Sequence, residues 1–175
     1  MVEKTHRRKR VKLSEGDIFE MPLPDGKLGY GIILRRGGLT SGGTPYIGIY
    51  HAVHSERQDA TSIVCGEIVL AGWTTDSLIH HGNWTVTAGG MPLPSVPFPN
   101  FKVAVEGKMY VTDVEGQLLD EATAAERELL DYQFSRTATC YQDAFEALNG
   151  FRNWDVNYEK LTPAYSAARV TRPTS

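Results

Sequence analysis

From Asp17 the chain alternates apolar and polar positions with a period of two. In Asp17-Ile-Phe-Glu-Met-Pro-Leu23, Phe19, Met21 and Leu23 fall on one face and Glu20 on the other, which predicts a strand. Pro22 has no N–H and belongs at that strand's end or at a sheet edge. Pro24-Asp25-Gly26 is a turn signal, and Leu28–Arg36 predicts the returning strand of a hairpin. Leu28, Tyr30, Ile32 and Leu34 share one face of it. The other carries Gly29, Gly31 and Ile33, and bare glycines within a strand mark a bend or a close backbone approach. GGLTSGGT, residues 37–44, predicts a loop. A third strand is expected from Tyr46 to Val53, with Ile47, Ile49, His51 and Val53 on one face. A fourth, Ile63 to Trp73, is apolar on both faces apart from Glu67, as in a strand covered on two sides.

The second half is more broken. Ser77–Gly82 predicts one helical turn ended by glycine, and Trp84 and Val86 begin another extended piece. MPLPSVPFP, residues 91–99, contains four prolines, which excludes helix and central strand and predicts a polyproline-like crossover lying over the sheet. Phe101–Glu106 and Lys108–Val114 predict a second hairpin turning at Glu106-Gly107. Thr123-Ala-Ala-Glu126 is a capping-box pattern opening a short helix. The alternation Leu130, Tyr132, Phe134 predicts a further strand, and Thr139 is expected to cap a helix over Cys140–Leu148, closed by Asn149-Gly150. The expected class is α+β: a strongly curved, barrel-like antiparallel sheet with short helices mainly in the C-terminal third.

Length and composition suit one domain, expected over residues 13–175 with the last ten or so frayed. No apolar run is long enough to span a bilayer, and the charged start is not followed by the apolar stretch of a secretory signal. Two cysteines, Cys65 and Cys140, fit a reducing cytosol better than a disulfide scaffold. The formal net charge of −3 conceals an asymmetry, because residues 1–12 carry a net of +5 and the remainder −8. A run so basic and so poor in apolar residues predicts a solvated, flexible arm. Nucleic acid is therefore not an expected partner except through that arm.

The chain carries few residues in patterns that point to catalysis or metal binding. His51 and His54 have the spacing H-x-x-H, which aligns two ligands only on a helix, and this segment reads as strand. A core or interface imidazole is the expectation for His51. Neither a zinc signature nor a nucleophile elbow occurs, and the glycine-rich loop lacks the Lys-Ser/Thr of a phosphate-binding loop. Cys65 is expected to be an inert core thiol, and Cys140 a packing residue whose place at a helix start would lower its pKa slightly. No cofactor, metal or catalytic residue is assigned, and a binding protein is the expectation.

The outstanding charge feature is the segment 106–131, with eight acids, two bases and a net of −6. Such a segment can steer a basic partner, or simply be a solvated face.

Against this background, Gly16-Asp-Ile-Phe-Glu-Met-Pro-Leu-Pro-Asp-Gly26, continuing to Gly29-Tyr-Gly31 and Ile33-Leu34, resembles the opening of the immunity protein 26 family. Trp84-Thr-Val, Pro92-Leu93 and Pro97-x-Pro99-x-Phe101 follow in the family's order, so the resemblance spans roughly residues 13–150. The basic start and the glycine-rich loop depart from it. The resemblance implies an antidote of a bacterial polymorphic-toxin or contact-dependent inhibition system: a small cytosolic protein that binds a cognate toxin domain, commonly a nuclease, and occludes it. A nuclease must hold phosphate and so presents a basic cleft, to which carboxylates are complementary. The expected toxin-binding residues are Asp113, Glu115, Asp120, Glu121, Glu126 and Glu128. Two rival readings stay open. One is an SH3-like barrel binding nucleic acid or peptide through the arm and exposed aromatics such as Tyr46 and Tyr50; the other is a small hydrolase using His51, His54 and an acid such as Glu56 or Asp59.

Overall fold

The structure, a computed structural model, describes residues 11–37 and 44–172. Residues 1–10 of the expected basic arm over 1–12, and residues 38–43 of the glycine-rich loop, lie outside the described residues. Strands β1 (Ile18–Pro22), β2 (Leu28–Arg36), β3 (Pro45–Tyr50), β4 (Ile68–Trp73) and β5 (Thr85–Ala88) form an antiparallel sheet in the order β4-β3-β2-β1-β5. A second antiparallel sheet has the order β6-β7-β8, from β6 (Phe101–Val105), β7 (Lys108–Thr112) and β8 (Leu118–Glu121). The helices are α1 (Ala60–Ile63), α2 (Ser77–His80), α3 (Ala124–Leu129), α4 (Ala138–Leu148) and α5 (Pro163–Ala167), with a 3-10 segment over Val156–Leu161. The class is α+β with antiparallel sheets and mostly C-terminal helices. Among the described residues the strands make two separate sheets, and no closed barrel is found.

The first hairpin is as the pattern predicts, with Pro22 paired to Leu28 at the strand's end. Its two faces lead into two cores. Phe19, Met21, Ile33, Ile47, Ile49 and Leu70 face α4, where Tyr141, Ala144 and Phe145 cover them. Ile18, Tyr30, Ile32, Leu34, Tyr46 and Trp73 form the other core, against which Met91, Val96 and Phe98 of the proline-rich crossover pack. That crossover lies over the sheet, as expected.

The bare positions of β2 are where aromatic rings rest on backbone. A Cβ at Gly29 would sit 2.2 Å from Cε1 of Phe145, and one at Gly31 2.2 Å from Cζ of Phe19. Phe19 in turn stacks on Trp84, with ring centroids 4.9 Å apart and 12° between the planes. The Trp84 Nε1–H donates to Gln142 Oε1 at 2.7 Å, and Gln142 Nε2 donates to the Pro22 carbonyl at 3.0 Å. Sheet and α4 are thus joined by close ring packing and by a short polar bridge.

Several boundaries differ from the sequence reading. The fourth strand starts at Ile68, not Ile63, because Asp59 caps a helical turn there by accepting from the Thr61 N–H. Cys65 follows that turn and is exposed, not a core thiol. The third strand ends at Tyr50, its register shifting after Ile49, so His51 falls on a bend and is exposed rather than buried. Helix α4 begins two residues early, because Thr137 rather than Thr139 accepts from the Cys140 N–H. Residues 130–136 make no strand, only single bridges from Lys102 to Tyr132 and from Thr74 to Arg136. Leu130 is buried while Tyr132 and Phe134 are 53% and 48% exposed, so the apolar alternation there faces outward. The Glu106-Gly107 turn is as predicted, with φ of 49° and 78°, both in the left-handed region that two-residue hairpins use.

Replacing Gly29 with Ala forces a methyl into the ring of Phe145, which is fully buried and must shift to admit it. The expected loss of stability is about 1–3 kcal/mol, seen as a lower urea midpoint with an unchanged slope.

Candidate functional site

The acidic segment folds into the β7–β8 turn, β8 and α3. Asp113 shapes the turn, its Oδ1 accepting from the backbone N–H groups of Glu115 and Gln117 at 2.9 Å each. Glu115 projects from it, 54% exposed, with Arg35 Nε 3.9 Å away. Asp120 and Glu121 end β8, their side chains 75% and 47% exposed. Thr123 and Glu126 form the predicted capping box: the Glu126 N–H donates to Thr123 Oγ1 at 3.2 Å, and the Thr123 N–H to Glu126 Oε2 at 2.9 Å. Glu128 is exposed on the following turn of α3.

The six candidates are therefore not equivalent. Glu126 is buried, its carboxylate held by Arg172, whose Nε donates to Oε1 and Nη2 to Oε2, each at 3.0 Å. The Arg172 hydrogen bonds, helped by the Thr123 donors, outweigh burial and bring the Glu126 carboxyl down to about 2. The same guanidinium reaches Asp120 and the Glu121 carbonyl. Glu121 also meets Lys108 at 3.1 Å and Arg127 at 3.4 Å. Arg172 is held in place by Asn100, which is 1% exposed and whose Oδ1 accepts from the N–H groups of Thr171 and Arg172 at 2.8 Å each. These bonds lie within the C-terminal stretch expected to fray.

Charges from outside the segment thus neutralise part of its net −6: Arg35 meets Glu115, Arg172 meets Asp120 and Glu126, and Lys160 meets Asp131. A window on the sequence has no means of finding Arg172, which is 46 residues from Glu126. Beside the carboxylates lies apolar surface the sequence reading also missed. Leu118 and Tyr132 are each 53% exposed and share a shallow cleft with Lys102, Val103, Val105 and Gln133.

The rival sites are not assembled as their readings need. Tyr46 and Tyr50 are each 1% exposed, so they are core residues and not an exposed binding surface. His54 is half-buried, its ring 5.8 Å from that of Tyr30, while His51, Glu56 and Asp59 are exposed. Burial raises the Cys140 pKa and outweighs the nearby Arg136, so this thiol is less acidic than a free one, not more. Among the described residues no three His, Cys, Asp or Glu side chains gather as a metal site. No helix among them is long and apolar enough to cross a membrane.

These residues define a two-sheet α+β scaffold that presents carboxylates and apolar side chains on its smaller sheet. Residues 14–88 match the model of the family Immunity protein 26, the family that the opening hairpin resembles. The match begins just before β1 and ends with β5, so it covers the five-stranded sheet and stops short of the proline-rich crossover and the acidic segment. It is narrower than the resemblance read over residues 13–150. The match covers fewer than half of the residues of the chain, and what it shows is a similarity of this sheet to a family described as immunity proteins. Neither the curated proteins nor the solved structures compared with the chain gave a match.

Because the folded pKa of Glu126 lies below its ordinary value of 4.5, its ion pair stabilises fully above that value. The contribution is lost as pH falls toward 2. Glu126→Gln keeps an acceptor for the capping box but not the charge facing Arg172. Urea unfolding followed between pH 6 and pH 2 should therefore show a shallower loss of stability with acid in E126Q than in the parent chain.

Proposed function

We propose that the chain is a cytosolic immunity protein that binds a cognate toxin domain, a nuclease, and neutralises it by surface occlusion. The observation that carries this reading is the family match over the five-stranded sheet. Glu115, Asp120, Glu121 and Glu128 then serve as the acidic rim that meets a phosphate-binding cleft, beside Leu118 and Tyr132 as apolar anchors. Asp113 and Glu126 support that face by shaping the turn and the start of α3. Charged groups at a rim steer association, while apolar and aromatic side chains at the centre supply most of the affinity, over an interface of roughly 1,200–2,000 Å².

The test is co-expression of the toxin domain encoded beside this chain, with growth and isolation of a stable complex as readouts. Rescue with a complex is expected; no rescue and no complex contradicts the reading. The triple variant Glu115→Lys, Glu121→Lys, Glu128→Lys leaves the Arg172 contacts with Asp120 and Glu126 in place. It should slow association by about tenfold or more at low salt and flatten the salt dependence. Unchanged association kinetics would put the interface elsewhere.

A further inference from the structure

Beyond the acidic face, a cavity of about 50 Å³ lies against β4, with Tyr46, Trp73, Asp131, Arg136, Lys160 and Arg169 among its lining residues. Two donors of these residues are buried without a hydrogen-bond partner among the described residues: Trp73 Nε1 and Arg169 Nε. Trp73 is only 3% exposed. Its indole differs in this from the other two, since Trp84 donates to Gln142 at 2.7 Å and Trp154 to Glu159 at 2.9 Å. Arg169 Nε is 3.7 Å from Asp131 Oδ2, an ion-pair distance but too long for a hydrogen bond.

The charges in the lining are unbalanced. Arg136, Lys160 and Arg169 stand against Asp131 alone, and that carboxylate is already engaged by Lys160 at 3.1 Å and by the Tyr165 hydroxyl at 2.5 Å. The Arg136 guanidinium lies over Phe134, 4.9 Å from the ring centroid. A buried N–H without an acceptor is unfavourable, and two of them beside an excess of positive charge call for an acceptor-only, negatively charged group. At roughly 10–15 Å³ per water-sized probe, the cavity holds three to five such spheres, the size of a carboxylate with one small substituent.

We propose that this cavity is a binding site for a small monocarboxylate, its oxygens accepting from Trp73 Nε1 and Arg169 Nε, with Arg136 and Lys160 supplying the balancing charge. The site is independent of toxin binding and is tested on the full chain alone. Sodium acetate, with sodium chloride at equal ionic strength as control, is titrated into the ¹⁵N-labelled protein while the three indole N–H signals are followed. Trp73→Phe assigns the signal of interest. Acetate is expected to give a saturable shift of the Trp73 indole, with those of Trp84 and Trp154 unmoved and no such shift with chloride. Arg169→Gln should weaken the apparent affinity at least tenfold, and Arg136→Gln, which leaves the Tyr165 and Asp131 contacts intact, at least threefold. A Trp73 signal that does not move, moves equally with chloride, or saturates unchanged in a folded R136Q variant overturns the proposal.

Discussion

The fold depends on covering β2 from both sides at once. One face offers Tyr30, Ile32 and Leu34 to the core under the proline-rich crossover, and the other offers little but Ile33 and two glycines. Those glycines let Phe145 and Phe19 descend onto the strand's backbone. Interiors are close-packed, so rings this near a backbone leave no slack for a methyl group. The position of α4 follows from this contact together with the Trp84–Gln142 bridge, and so does the closure of the first core.

The smaller sheet rests on a different kind of bond. Its own core is slight, with Val111, Ala122 and Leu130 as the fully buried apolar residues. Polar ties from the C-terminal stretch compensate: Asn100 orients the chain at Thr171 and Arg172, and Arg172 bridges β8 to the N-terminus of α3 through Asp120 and Glu126. Removing either partner of a partly buried charge pair leaves the other unsatisfied, so these carboxylates hold up the surface that the remaining ones present. Division of labour within the acidic segment is the consequence: Asp113 and Glu126 build the face, and Glu115, Glu121 and Glu128 stand exposed on it.

Much of the fold was legible because its signals are local. The period-two alternation, the Pro-Asp-Gly turn, the Glu106-Gly107 turn and the Thr123–Glu126 box each lie within a few residues of what they specify. The bare glycines also announced a close approach, although nothing local identified Phe145 as the ring that makes it. Misreadings arose where two patterns overlap or where distant parts decide. Residues 60–73 are apolar enough to pass for one strand, and the Asp59 cap divides them. Tyr132 and Phe134 alternate like core positions yet face outward, because the ladder they would need is reduced to isolated bridges. The acidic candidates were visible as composition, but their differing surroundings depend on Arg35 of β2 and on Arg172, both distant in sequence.

We propose that the family-matched sheet is scaffold and that the smaller sheet with α3 is the face that meets a toxin domain. Amide hydrogen exchange of the chain, measured free and in complex with its toxin domain, addresses it directly. Added protection concentrated in residues 113–132 is the predicted result, with β1 to β3 unchanged. Protection confined to the five-stranded sheet, with residues 113–132 exchanging as in the free protein, would contradict the account.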